Sequence, residues 1–78
     1  IVGALCSGAT IGAASNVAVP PSVVMVSPAS TSPEITGLED KDLVFRTAPS
    51  DAYQGVILAK YVKSKGINSV ALTFVNND

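Results

Sequence analysis

Small hydroxyl-bearing residues follow two apolar runs of this sequence, at positions suited to binding an anion or a small polar molecule. Ser7 comes just after the apolar run at residues 1–5. The segment 27–34, Ser-Pro-Ala-Ser-Thr-Ser-Pro-Glu, follows the apolar run at residues 23–26. Loops at the carboxyl ends of parallel strands are where open α/β sheets bind ligands. A strand-to-helix turn without any ligand would also explain the second segment.

Ser7 also stands at the predicted start of a helix. The small-residue stretch 7–18 has apolar residues at helical spacing, and Pro20 with Pro21 ends it. Ser7 is suited to cap this helix, and the Ser7-Gly8 turn offers unpaired backbone N–H groups and a positive dipole end. Such a turn favours a carboxylate or another anion, although a cap without a ligand remains the alternative.

A second helix start is predicted within segment 27–34. Thr31 and Glu34 have the spacing of a capping box. Ser32 offers a second capping residue, directly before Pro33, which suits the first helical turn. The hydroxyl groups of this segment are therefore expected to lie near free backbone N–H groups.

Evidence for catalysis or for a metal is weak. Residues 3–10 nearly match the phosphate-binding loop GxxxxGK[ST], but Ala9 occupies the lysine position, which argues against a nucleoside triphosphatase. The absence of histidine excludes the common Ser–His and Cys–His pairs, and with one cysteine there is no zinc site. The acidic residues Glu39, Asp40 and Asp42 lack EF-hand spacing. We therefore expect no catalytic residue, metal or cofactor, and an enzyme is the weaker class.

The composition points to part of a larger α/β domain. Of the 78 residues, 47% are hydrophobic and 14% are charged, whereas about 25% charged residues is usual. The net charge of −1 without a basic patch makes nucleic acid an improbable partner. No apolar run reaches the roughly 18 to 20 residues of a membrane-spanning helix. Because the chain starts at Ile1 in one strand-like run and ends just after another, residues 1–78 are expected to be a fragment, with Cys6 buried and unpaired within it.

Four strands are predicted, at residues 1–5, 23–27, 43–47 and 69–75. The first, second and fourth are apolar without alternation, which is typical of strands covered on both faces. Segment 43–47 is shorter and charged, so it is expected at the edge of the sheet. With the intervening helices, this order predicts an α/β fold, a partial three-layer sandwich with a mainly parallel sheet.

The helix predicted after Pro49 has clear boundaries. Ser50 or Asp51 caps it, Asp51 and Gln54 fit a capping box, and Gly66 follows the last turn. One apolar face is expected to pack on the sheet; it consists of Gly55, Leu58, Ala59 and Val62. A second stripe, expected either to be partly exposed or to meet a partner, consists of Tyr53, Ile57 and Tyr61. Segment 37–42 is predicted to be a solvated loop.

Three segments of the sequence stand out together. They are Leu5-Cys6-Ser7-Gly8-Ala9-Thr10, then Val26-Ser27-Pro28-Ala29-Ser30-Thr31-Ser32-Pro33-Glu34, and then Val44-Phe45-Arg46-Thr47-Ala48-Pro49-Ser50-Asp51 with Gln54-Gly55. Together these segments resemble the branched-chain amino-acid substrate-binding proteins of ABC transporters. The match covers nearly the whole chain in the right order.

The resemblance implies a set of ligand-binding residues. Ser7 would hold the α-carboxylate of an amino acid. In the second loop, Ala29 and Thr31 would bind the α-ammonium and the α-carboxylate. The carbonyl of Ala29 would take the ammonium, and the hydroxyl and N–H of Thr31 would take the carboxylate. Ser30 belongs to the same binding loop, where relatives often have another small residue. The family's cysteine at this place often bridges to an upstream cysteine, which implies such a partner for Cys6.

The resemblance also implies a fold, partners and a location. The fold is a periplasmic binding protein with two lobes that close on the ligand. Residues 1–78 would be a piece of the amino-terminal lobe, without its first strands and without the second lobe. The protein would deliver an amino acid to a membrane ABC permease from the periplasm or cell surface, and this piece alone would self-associate. Two alternatives stay open: the same fold binding an amide, urea or aromatic acid, or a small α/β enzyme or phosphate-binding domain that uses the Ser7-Gly8 turn.

Overall fold

The chain forms helices and a small parallel sheet. The computed structural model describes residues 1–76. The regular elements are, in chain order, α1 (Ser7–Ala13), a π-helical segment (Ala14–Ala18), β1 (Met25–Ser27), a 3-10 helix (Pro33–Gly37), β2 (Val44–Arg46) and α2 (Asp51–Ser64). The predicted α/β class with a parallel sheet is confirmed. The predicted helix at residues 7–18 is also confirmed, as α1 and the π-helical segment.

β1 lies at the centre of the paired strands. On one side it pairs in parallel with β2, with Met25 opposite Val44 and Ser27 opposite Arg46. Residues 43–47 were predicted as an edge strand, and among the described residues β2 does pair with β1 alone. Met25 and Val44 are buried, so this pair forms the part of the sheet that faces the core.

On its other side, β1 pairs with the first residues of the chain. Val2 and Val26 form a parallel bridge. Val26 donates its N–H to the carbonyl of Ile1 at 2.9 Å, and Gly3 donates to the carbonyl of Val26 at 2.8 Å. The strand predicted at 1–5 therefore pairs in the expected parallel direction, but the pairing covers fewer residues than predicted. Its predicted burial is wrong: Val2 is 88% exposed, because no described residue covers its side chain.

A small apolar core lies between the helical segment 7–18 and the sheet. The π-helical segment contributes two small residues to it, Ala14 and Ala18, which are 1% and 0% exposed. The core consists of Ala14, Ala18, Val19, Met25, Ile35 and Val44, with Ile11, Ala13 and Leu38 packed against it. These residues all precede α2, so the core is complete without that helix.

α2 has the boundaries that the sequence predicts. Ser50 is the N-cap, and its hydroxyl accepts the N–H of Ala52 at 3.2 Å. The proposed capping box of Asp51 with Gln54 is wrong, because Asp51 is the first helical residue. Gly66 follows the last turn at φ 70°, the left-handed conformation that glycine adopts without strain.

The predicted packing of α2 on the sheet is wrong. None of its described residues is buried, and Val62 is only half-buried. Leu58 of the predicted face is 53% exposed, and Tyr61 of the second stripe is 59% exposed. The radius of gyration is 15.4 Å, whereas about 11.5 Å is expected for a compact chain of this length. α2 therefore extends away from the core.

Two further predictions are corrected by the structure. The strand predicted at 69–75 does not form; these residues are irregular, and Leu72 and Phe74 are 86% and 81% exposed. A strand needs a partner for its backbone groups, and no described strand lies beside this segment. Cys6, predicted to be buried, is exposed and free. It is the N-cap residue of α1, directly before the buried Ser7.

Candidate functional site

Ser7 and Thr31 meet where two parallel segments end. The hydroxyl oxygen of Ser7 accepts the N–H groups of Thr31 and Ser32, each at 3.1 Å. Ser7 follows the segment that pairs with one side of β1, and Thr31 follows β1 itself. The structure therefore brings together the two loops that sequence reasoning selected.

Ser7 does not cap α1, contrary to the sequence prediction. It is the first residue of the helix, and the N-cap residue Cys6 makes no side-chain capping bond. Because the Ser7 oxygen receives donors from the second loop, it cannot turn back to its own helix. The N–H groups of the first helical turn have no carbonyl partner within α1. The N–H of Thr10 donates to the carbonyl of Cys6 at 3.0 Å, and those of Ser7, Gly8 and Ala9 have no hydrogen-bond partner among the described residues.

A buried cluster of three hydroxyl groups supports this meeting point. Thr10, Ser27 and Ser30 are each 0% exposed. The oxygen of Ser30 lies 2.6 Å from that of Thr10 and 2.7 Å from that of Ser27. Every buried side-chain oxygen or nitrogen among the described residues has a hydrogen-bond partner. The hydroxyl cluster is thus fully satisfied, as buried polar groups must be.

The hydroxyl cluster joins the two loops through backbone groups. The hydroxyl of Ser27 donates to the carbonyl of Ala4 at 2.6 Å, and that of Ser30 can donate to the carbonyl of Leu5 at 3.2 Å. Thr10 accepts the N–H of Ala4 at 3.2 Å. Since Thr10 lies on α1 and Ser27 ends β1, these bonds fix the first loop against the second.

The remaining predicted site residues of the second loop lie in two different environments. The side chain of Ser30 is inside the hydroxyl cluster and does not face solvent. Ala29 is exposed, and its N–H points to the Ser27 hydroxyl at 3.4 Å. Within residues 1–76, no hydrogen bond to the Ala29 carbonyl is formed. That carbonyl is therefore open to a donor from outside.

Thr31 is held by two groups besides Ser7. Its hydroxyl donates to Asp51 Oδ2 at 2.9 Å, and its carbonyl accepts the N–H of Asp51 at 2.8 Å. Both donors of Thr31, the N–H and the hydroxyl, are thus directed to protein acceptors. The sequence reasoning expected these two donors to be available to an anion, and in this conformation they are not.

The 3-10 helix after Thr31 is capped by the neighbouring residue. Ser32 is the N-cap, its hydroxyl accepts the N–H of Glu34 at 3.3 Å, and Pro33 is the first helical residue. Of the two predicted caps, the Ser32-Pro33 signal is confirmed. The Thr31–Glu34 capping box is wrong, because the Thr31 hydroxyl points to Asp51.

Arg46 braces the same loop from the end of β2. Its Nη1 donates to the carbonyl of Ser32 at 2.7 Å, and its Nη2 donates to the hydroxyl of Thr36 at 2.6 Å. Nη1 also lies 3.4 Å from the carbonyl of Ser30. A planar guanidinium with several donors suits such a multiple contact. Arg46 therefore holds the loop and the 3-10 helix to the sheet.

Sequence reasoning did not assign functions to four residues that shape this site. They are Thr10, Ser27, Arg46 and Asp51, and all stand in the segments that carry the family resemblance. A signal was available for two of them. Ser27 is a polar residue that ends an otherwise apolar run, and Arg46 is a charged residue within a predicted strand. Such residues are polar where the pattern demands apolar ones, and this suggests a buried or bracing contact.

The arrangement is suited to binding through hydrogen bonds at the edge where the two loops meet. The described residues enclose no cavity. Within residues 1–76, no group of three His, Cys, Asp or Glu side chains lies close enough to hold a metal ion. What the edge offers is hydroxyl groups and backbone groups fixed in place by the hydroxyl cluster.

Two known proteins named as binding proteins are similar in sequence to this chain. The chain is 40% identical over 65 residues to the Leu/Ile/Val/Thr-binding protein of Salmonella typhimurium. It is 38% identical over 65 residues to the Leu/Ile/Val-binding protein of Citrobacter freundii. Each match covers 83% of this chain but only 17% of the relative, so the chain spans about a sixth of the length of these relatives.

A family model matches the whole chain. Among the described helices, none is long and apolar enough to cross a membrane. No solved structure matches the chain. The family described as "Receptor family ligand binding region" matches residues 1–78, and the resemblance to branched-chain amino-acid binding proteins found in the sequence agrees with the two relatives. This chain therefore belongs to the receptor family ligand-binding region.

Proposed function

We propose that this chain is part of the amino-terminal lobe of a solute-binding protein that binds a branched-chain amino acid and delivers it to a membrane ABC permease. The observation that carries the proposal is the contact between Ser7 and Thr31 at 3.1 Å, where two parallel segments end. This is the edge at which α/β sheets bind ligands. Membership in a ligand-binding family and the names of the relatives support the same function.

In this proposal, Ser7 binds the carboxylate of the amino acid. Its oxygen already accepts two N–H groups, so its own proton is left to donate. No described residue accepts that proton. The N–H groups of the first turn of α1 lie beside it and add donors for the same anion.

Ala29 supplies an acceptor for the ammonium group. Ala29 is exposed, and its carbonyl accepts no hydrogen bond from residues 1–76. Ser30 supports this carbonyl from inside, since its own N–H is fixed by the Ser27 hydroxyl at 3.0 Å. A donor for a carboxylate and an acceptor for an ammonium within one pair of loops fit a zwitterion.

Tight binding of an amino acid requires a second protein surface that covers the ligand. A hydrogen bond open to solvent contributes about 0.5–1.5 kcal/mol, and millimolar affinity already corresponds to roughly 4 kcal/mol. The few contacts of this edge therefore do not hold an amino acid tightly by themselves. A second lobe that closes over the ligand would exclude water and complete the contacts. The complete protein would act outside the cytoplasm, in the periplasm or at the cell surface.

Calorimetry on the complete protein tests the proposal. L-Leucine, L-isoleucine and L-valine are titrated into the wild type, a Ser7→Ala variant and a Ser15→Ala variant. Ser15 is an exposed serine of the π-helical segment and serves as the matched control. We expect Ser7→Ala to weaken binding about tenfold or more and Ser15→Ala to leave it unchanged. Equal affinity of all three proteins would contradict the role of Ser7, and no binding by the wild type would contradict the function.

The 78-residue chain alone is expected to self-associate and to bind free leucine only weakly. Its exposed apolar residues include Tyr53, Ile57 and Phe74 at 69%, 67% and 81% exposure. Exposed apolar area of this kind favours association in water. Sedimentation over a range of concentrations measures the association. A monomeric sample that binds leucine at micromolar concentration would contradict this expectation.

A further inference from the structure

We propose that Asp51 is a positioning residue for ligand binding: it takes the hydroxyl proton of Thr31, so that the Thr31 oxygen faces a ligand as an acceptor. The inference rests on the proposed function of the Ser7–Thr31 edge and extends it to a residue in the next element. Asp51 is the first residue of α2 and lies outside both predicted binding loops.

Two hydrogen bonds join Asp51 to Thr31 in opposite directions. The Thr31 hydroxyl donates to Asp51 Oδ2 at 2.9 Å, and the Asp51 N–H donates to the Thr31 carbonyl at 2.8 Å. The backbone bond fixes the position of Asp51, and the side-chain bond fixes the rotation of the hydroxyl. Ser50 caps α2 beside this contact, so its start is held in place.

The number of protons on each group decides what Thr31 can offer. A hydroxyl has one proton and two acceptor lone pairs, and an ionised carboxylate has acceptors only. In the Thr31–Asp51 bond the proton must therefore come from Thr31. With its N–H also donated, to Ser7, Thr31 keeps only acceptor capacity for a ligand.

At the same edge, Ser7 has the opposite hydrogen-bonding role to Thr31. It accepts two N–H groups and keeps a proton to donate, whereas Thr31 donates twice and keeps a lone pair to accept. Two neighbouring hydroxyl groups are thus set as one donor and one acceptor by their protein partners. Because of Asp51, Thr31 contributes to ammonium binding and not to carboxylate binding.

A pair of ligands that differ in the ammonium group tests this assignment in the complete protein. L-Leucine carries the ammonium, and 4-methylpentanoate is the same acid without it. The measured quantity is the ratio of their affinities in a competition assay. The ratio does not depend on the folded fraction, since both ligands bind the same folded molecules.

Three variants separate positioning from charge. Asp51→Ala removes the acceptor, Asp51→Asn keeps an oxygen that can take the Thr31 proton but has no charge, and Glu39→Ala removes an equal charge from an exposed loop residue. We expect the affinity ratio to fall about tenfold in Asp51→Ala, to stay within about threefold in Asp51→Asn and to be unchanged in Glu39→Ala. An unchanged ratio in Asp51→Ala, or an equal fall in Asp51→Asn, would overturn the proposal.

A double variant tests whether Asp51 acts through Thr31. Thr31→Val is expected to lower the ratio about as far as Asp51→Ala, and combining the two is expected to lower it by no more than about twofold further. A further tenfold loss would mean that Asp51 acts on the ligand by itself, against the proposal. A wild type that does not bind leucine would instead contradict the proposed function.

Discussion

Residues 1–50 and residues 51–76 of this chain differ in how their structure is stabilised. The first region contains the apolar core, the parallel sheet and the buried hydroxyl cluster. In the second region, α2 and the residues after it expose every described side chain apart from the half-buried Val62. Tertiary packing defines the first region, whereas the second region depends mainly on bonds within α2 and is joined to the first by the two hydrogen bonds between Asp51 and Thr31.

The difference shows which elements a short sequence can form without partners. α2 keeps its helix because its own backbone bonds, the Ser50 cap and the Gly66 end are all local. The segment 69–75 is as apolar as β1, but it has no neighbour among the described residues and is not a strand. A strand forms its backbone hydrogen bonds only with another segment, whereas a helix forms them within itself.

The largest effect is expected from removing a core side chain of the first region. Met25 of β1 is 1% exposed and belongs to the apolar core, so Met25→Ala should lower the free energy of unfolding by about 2–5 kcal/mol. Leu58→Ala in α2 should change it by less than about 0.5 kcal/mol, since Leu58 is 53% exposed. Urea unfolding of the 78-residue chain measures both. Equal losses would show that α2 packs on the core.

A smaller effect is expected from opening the hydroxyl cluster. Ser30→Ala leaves Thr10 and Ser27 each with one buried partner fewer and should cost about 1–3 kcal/mol of unfolding free energy. Ser15→Ala, an exposed control, should stay within about 0.5 kcal/mol. In a double-mutant cycle, Ser27→Ala and Ser30→Ala should be non-additive. Additive losses would contradict the view of the cluster as one network.

Removing the Arg46 brace should loosen one loop more than the whole fold. Arg46→Met deletes the bonds to Ser32 and Thr36, and we expect the amides of residues 34–38 to exchange about tenfold faster with solvent. Lys60→Met changes the same charge on exposed α2 and should leave these amides unaffected. Hydrogen exchange followed by mass spectrometry measures this. Faster exchange in both variants would point to a general charge effect.

The smallest effect concerns the exposed helix. A Cβ at Gly55 would meet no atom within 4 Å, so Gly55→Ala should stabilise α2 by about 0.5–1 kcal/mol. Gly66→Ala should instead destabilise the helix end by about 1 kcal/mol, because φ there is 70°. Circular dichroism of the 78-residue chain reports both changes. Loss of helix in Gly55→Ala would show that this face is covered.

Sequence reasoning succeeded where neighbouring residues decide the structure. The Ser50 cap, the Gly66 helix end and the Ser32-Pro33 cap all depend on residues within a turn of one another. The meeting of Ser7 with Thr31 also followed from sequence, because parallel strands place their carboxyl ends at the same edge.

Sequence reasoning failed where distant partners decide. The burial expected for Cys6 and for Leu58 requires covering elements that the described residues do not provide. The partner of the Thr31 hydroxyl could not be predicted either, since Asp51 lies 20 residues further along the chain and the capping pattern considers only neighbouring residues. The sequence pattern predicts the ends of a helix, whereas burial and strand formation depend on the tertiary arrangement, as residues 69–75 show.

The position of the core in the chain has a consequence for synthesis on the ribosome. All the core residues, the paired strands and the hydroxyl cluster lie before residue 51. Translation proceeds at about 5–20 residues per second, and segments that emerge first fold first. The sheet edge with Ser7 and Thr31 can therefore assemble while α2 is still inside the exit tunnel. Asp51 emerges last of these residues, so the Thr31 hydroxyl would acquire its final direction only as the helix leaves the ribosome.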